Sequence, residues 1–84
     1  MDIASLTREK IEDVITANGY ILDSVSYVKE GSAYFLRVVI DKDGIIDLDD
    51  CVRVSELINP IVDTLDYLTD NYMLDVCSKE KGCE

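Results

Sequence analysis

Five aspartates crowd residues 41–50: Asp41, Asp43, Asp47, Asp49 and Asp50. Arg37 lies just ahead of them. Oxygen donors at this density raise three chemical possibilities: a calcium loop, an acid–base pair, or a docking surface for a cation. A calcium loop opening at Asp41 needs an oxygen ligand at its fifth position, Gly at its sixth and Glu at its twelfth. Ile45, Ile46 and Val52 stand there instead, so no metal is expected. An acid–base pair is weakly signalled, because 18 Asp and Glu among 84 residues make close pairs by chance alone. No nucleophile elbow or phosphate loop accompanies them. The chain has no His, which removes the usual acid–base side chain at neutral pH and the commonest zinc nitrogen ligand. No enzyme activity and no cofactor are expected. The docking surface remains.

The three cysteines, Cys51, Cys77 and Cys83, are too few for a four-thiolate zinc site. Their odd number in an acidic chain predicts free thiols rather than a disulfide framework. Cys51, set among apolar neighbours, predicts a buried thiol. Arg37 has three readings open to it. Its stem can cover the sheet surface, its guanidinium can face a phosphate, or it can pair with Asp41.

These residues must be held by a small fold. Ile3, Leu6, Ile11, Val14 and Ile15 recur near a 3.6-residue period and predict a helix over about residues 3–17. Asn18-Gly19 closes it. Residues 20–29 predict a strand, and Glu30-Gly31-Ser32 a turn. Residues 33–41 carry the strongest alternation, with Tyr34, Leu36, Val38 and Ile40 on one face and Phe35, Arg37, Val39 and Asp41 on the other. The short connection makes a hairpin. Asp47 predicts an N-cap, bonded to the backbone near Asp50, and Asp49 and Asp50 sit at the positive end of the helix dipole. The second helix carries Cys51, Val54, Leu57, Ile58 and Ile61, and Pro60 predicts a kink or an end nearby. Val62 and Leu65 extend its stripe. Residues 66–71 connect to a third strand over 72–77. The order is α-β-β-α-β.

The expected fold class is α+β: one two-layer domain over residues 1–78, with a polar tail over 79–84. Both helices cover one face of a three-stranded mixed sheet. The helical connection predicts that the second and third strands run parallel. The other face, with Phe35, Val39, Val28 and Met73, is a partly apolar surface.

Charge narrows the function. Eight Lys and Arg face 18 Asp and Glu, for a formal net charge of −10. Backbone-driven nucleic-acid affinity needs clustered cations, so no autonomous nucleic-acid binding is expected. A basic partner is. No apolar stretch reaches the ~20 residues of a membrane span, and no h-region of a signal peptide opens the chain. The cytoplasm is the expected compartment, and the expected state is a monomer or weak dimer.

Several stretches, in order, resemble one family. Gly19-Tyr20 is followed by Val25-Ser26-Tyr27-Val28-Lys29-Glu30-Gly31 and by Leu36-Arg37-Val38-Val39-Ile40-Asp41-Lys42-Asp43-Gly44. Ile46-Asp47-Leu48-Asp49-Asp50-Cys51 with Val54-Ser55 is the most specific. Pro60 with Asp63 and then Tyr72-Met73-Leu74-Asp75-Val76 complete the series. Together they are similar to the N-terminal domain of the ribosome maturation factor RimP family. The resemblance implies a KH-like α-β-β-α-β domain and a non-catalytic role in maturation of the small (30S) subunit. It also implies contact with a basic ribosomal protein and nearby rRNA. The partner-binding candidates are Arg37, Asp41, Asp43, Asp47, Asp49 and Asp50. Past the third strand the family pattern continues with a Ser-Ser-Pro-Gly turn and a β-barrel. Cys77-Ser78-Lys79-Glu80-Lys81-Gly82 stands there instead, as expected of a truncated piece or a single-domain relative.

The alternative function is an acidic protein-interaction or dimerisation domain that uses an exposed sheet edge, with no ribosomal role. A KH-like RNA binder would need a G-x-x-G clamp with basic flanks, and the sequence has none.

Overall fold

Asp2 starts the first helix: its carboxylate accepts from the Ala4 N–H (3.1 Å) and the Ser5 hydroxyl (2.7 Å). The first bond satisfies a backbone donor that the first turn leaves without a partner, and the second fixes the capping carboxylate. Helix α1 (Ile3–Ala17) buries Thr7, Ile11 and Ile15, one per turn. It closes as predicted. The Asn18 side-chain amide donates to the Val14 carbonyl (2.7 Å), and Gly19 takes φ +86°, a conformation that favours glycine. The computed structural model describes residues 2–65 and 72–79. The predicted connection over 66–71, most of the predicted tail and Cys83 lie outside them.

Strand β1 (Ile21–Glu30) and strand β2 (Ala33–Asp41) pair antiparallel, with Glu30 opposite Ala33 across the Gly31-Ser32 turn. The predicted strand began one residue earlier, at Tyr20. The helix end claims that residue, because the Tyr20 N–H donates to the Ile15 carbonyl (3.1 Å). A bulge at Asp23 interrupts the β1 register between Leu22 and Ser24. Helix α2 (Leu48–Val62) then crosses to strand β3 (Tyr72–Ser78), which runs parallel to β2. The sheet order is β1-β2-β3. The α+β class, the α-β-β-α-β order and the mixed three-stranded sheet are as the sequence predicts.

Leu36, Val38 and Ile40 of β2 are fully buried against Ile11 and Ile15 of α1 and Val54, Ile58 and Val62 of α2. Both helices therefore cover one sheet face. Burial of each such side chain stabilises the fold by roughly 1.5–3 kcal/mol. Pro60 lies inside α2, and the helix ends two residues later at Val62. A proline this close to the end forfeits one backbone bond without breaking the body of the helix. On the opposite face, Phe35 stands beside Val28 and Met73, and Met73 is 60% exposed.

The cysteines require a correction. Cys51 keeps its thiol and is buried, as predicted, but Cys77 is disulfide-bonded. An odd count does not decide whether any particular cysteine is bonded.

Candidate functional site

The acidic segment turns the chain from the end of β2 into α2. Its loop is pinned by Ile46, which is fully buried in the core, and bent at Gly44, which takes φ +99°. At the helix start the predicted cap is present and is reciprocal. The Asp47 carboxylate accepts from the Asp50 N–H (3.2 Å), and the Asp50 carboxylate accepts from the Asp47 N–H (3.0 Å). This is a capping box with Asp in the return position.

Asp50 is the centre of a polar knot. Besides the cap bond, it accepts from the Tyr20 hydroxyl at 2.7 Å, and the Lys42 ammonium lies 3.0 Å away. The Tyr20 hydrogen bond, helped by the Asp47 N–H and by Lys42, holds the Asp50 carboxyl far below the usual carboxylate range. The same hydrogen bond to an anion, reinforced by burial, pushes the Tyr20 hydroxyl up. The knot ties the α1–β1 junction to α2. Asp50 is thus engaged from within the fold on both of its oxygens.

The other candidates are placed differently. Asp41 ends β2 and accepts from the Lys42 N–H (2.9 Å). Asp43 and Asp49 are exposed and make no ion pair among the described residues. With Asp47, they leave a cluster of solvent-facing carboxylates around the first turn of α2. Arg37 does not join them. It lies four residues back along β2, about 13 Å in an extended chain. It pairs across the parallel register with Asp75 (Nε to Oδ2, 3.3 Å). The predicted alternative of an Arg37–Asp41 pair is therefore replaced: two residues on one strand face cannot meet at that spacing, whereas a register neighbour can.

Sequence reasoning missed three features. Tyr20 and Lys42, the partners of Asp50, carry no local signal, because their meeting depends on tertiary packing. The third is apolar. Ile45 (80% exposed), Leu48 (73%) and Val52 (49%) project among the aspartates. Leu48 and Val52 are four apart and off the buried stripe of α2, a spacing that could have revealed them. Among the described residues, no three Cys, Asp or Glu side chains gather as metal ligands would.

A family model, the RimP N-terminal domain, matches residues 10–79, which is most of the chain. The chain belongs to the RimP N-terminal domain family. Membership implies a role in ribosome maturation, in a family that is generally not enzymatic. The matched span contains the whole acidic turn, β1 to β3 and α2. Among the described residues, no helix is long and apolar enough to cross a membrane.

Proposed function

We propose that this RimP-family domain is a non-catalytic module of small-subunit maturation that docks a basic ribosomal protein in the cytoplasm. The contact is the acidic rim formed by Asp41, Asp43, Asp47 and Asp49. The observation that supports this most is the division of labour among the aspartates. Asp50 is bonded inward to Tyr20 and Lys42, while Asp43 and Asp49 stay exposed beside Ile45 and Leu48. Carboxylates interleaved with apolar side chains suit a cationic polypeptide surface, with charge speeding encounter and setting orientation. Nearby rRNA is approached through this protein partner, because a chain of net charge −10 repels phosphate. Arg37 lies on the open face of the sheet, paired with Asp75 and away from the acidic rim, so the rim and not Arg37 carries the contact.

The test is capture of small-subunit particles from lysate by the intact chain, at low salt and at physiological salt. Asp43→Asn, Asp47→Asn and Asp49→Asn are compared singly and combined. The triple variant should lose most of the capture, and the loss should be greatest at low salt. Undiminished capture by a folded triple variant would overturn the acidic-rim reading.

A further inference from the structure

The two edges of the sheet are treated differently. The β1 edge is guarded by devices that discourage pairing. It has the bulge at Asp23, the charges of Asp23, Lys29 and Glu30, and the Arg8 guanidinium on the Leu22 carbonyl (3.1 Å) and the Asp23 carbonyl (3.5 Å). The β3 edge has none of these. Its register with β2 is unbroken from Tyr72 to Ser78, and its one charged side chain, Asp75, is turned to Arg37. Among the described residues no strand pairs with its outer side. An open groove of about 290 Å³ runs between this edge and α2, with Leu48 and Val52 on one wall and Leu74 and Val76 on the other. Its charged lining is acidic, namely Glu56 and Asp75. That volume is at the bottom of the range for small-molecule sites and suits one or two side chains.

We infer that the β3 edge and this groove form a strand-addition site for an extended basic segment of the partner protein. The segment pairs with the β3 main chain. It seats alternate apolar side chains between Leu48 and Val52 and the β3 wall, and its intervening Lys or Arg side chains lie on the open face beside Asp75, while Glu56 adds negative charge at the groove. Pairing supplies the main-chain bonds, and the groove selects the side chains. The basic occupant follows from the charge of the lining and from the acidic rim, which continues into the groove at Leu48. The inference deepens the docking proposal above and rests on it for the nature of the partner.

The probe is a capped nine-residue peptide alternating Lys and Val, titrated into the intact chain and followed by amide chemical shifts. Two companions accompany it. One alternates Lys and Ser, and the other is the Lys–Val peptide N-methylated at alternate amides. Shifts should concentrate in residues 72–78 and along α2 from Leu48 to Glu56. Both companions should bind about tenfold or more weakly, as expected when an apolar seat or main-chain pairing is lost. Val52→Glu is the decisive variant. Its added negative charge would strengthen a purely electrostatic contact with a basic peptide, whereas the proposed seat predicts about tenfold weakening. Leu48→Ser should weaken binding without any change of charge, and both side chains are exposed enough for the fold to survive. Tighter binding by Val52→Glu, or equal binding of the N-methylated peptide, would overturn the inference. So would a concentration-dependent dimer of the chain that Val52→Glu abolishes, since it would assign the edge to a second copy. If Val52→Glu keeps small-subunit capture while the triple aspartate variant loses it, the groove is dismissed and the acidic-rim reading stands. If the triple variant keeps capture, the acidic-rim reading fails whatever the peptide does.

Discussion

Asp47 has two roles that one pair of substitutions separates. It caps α2 through an oxygen, and it contributes a charge to the rim. Asp47→Ala removes both. Asp47→Asn removes the charge and keeps an oxygen able to accept the Asp50 N–H, now at 3.2 Å, because Asn is as good an N-cap as Asp. The other half of the box, from the Asp47 N–H to the Asp50 carboxylate at 3.0 Å, uses main chain at residue 47 and survives either change. Loss of the side-chain cap then costs about 1 kcal/mol, a fall in Tm of about 4–8 °C for a domain of this size. The neutral Asn loses some favourable interaction with the helix dipole, a few tenths of a kcal/mol at a screened surface. It also relieves repulsion from Asp49 and Asp50, so its Tm should stay within about 2 °C of the parent. Thermal melts by far-ultraviolet circular dichroism at neutral pH read the first role. Capture of small-subunit particles reads the second. Ala should lower Tm where Asn does not, while both should lower capture by the same share. If Asn melts as low as Ala, the charge and not the oxygen holds the helix start. If only Ala lowers capture, the partner reads the shape of the first turn, and the charge argument fails.

Further outcomes follow from the same contacts. Because the Asp50 carboxyl is held low, its stabilisation is complete above the ordinary carboxylate pKa of about 4 and is lost as the pH falls below it. The Tm gap between parent and Asp50→Asn should therefore close on acidification, and a constant gap would contradict the knot. Tyr20 is pushed up, so its contribution is complete below about pH 10 and lost above it. Tyr20→Phe should lie below the parent at neutral pH and approach it in alkali, as alkaline melts can show. Ile58, fully buried, should cost about 2–5 kcal/mol as Ile58→Ala, measured by urea unfolding. A double-mutant cycle on Arg37 and Asp75, about one-third exposed, should return no more than about 1 kcal/mol of coupling and lose it in high salt.

What could be read from the residues and what could not divides along the range of the forces involved. The β2 alternation from Ala33 to Asp41 and the 3.6-residue stripe of α1 report burial on one face. Burial is imposed residue by residue, so the bounds of both elements match the prediction. The Asp47 cap was legible for the same reason, since donor and acceptor are three residues apart. The Asp50 knot was not, because Tyr20 reaches it across thirty residues of chain. Nor was the Arg37–Asp75 pair, which depends on a parallel register set by the length and packing of α2. The cluster of aspartates was visible as composition. Which of its members face inward was decided only when Tyr20 and Lys42 arrived.

The fold also changes what the net charge means. Read along the chain, the basic residues are scattered among the acidic ones and would blur any field. In space, Arg8 is spent on Glu12 and the β1 carbonyls, Arg37 on Asp75, Lys42 on Asp50 and Lys79 on Asp23. Four of the seven cations among the described residues are thus matched to carboxylates on the fold's own elements. Lys42 shows the consequence. It is the one cation within the sequence of the acidic turn, and its ammonium is drawn back to Asp50, whose side chain is 15% exposed. Asp43 and Asp49 are left facing solvent without it. Removing that ammonium, as in Lys42→Ala, should loosen the knot, yet raise rather than lower the rim's attraction for a cationic polypeptide.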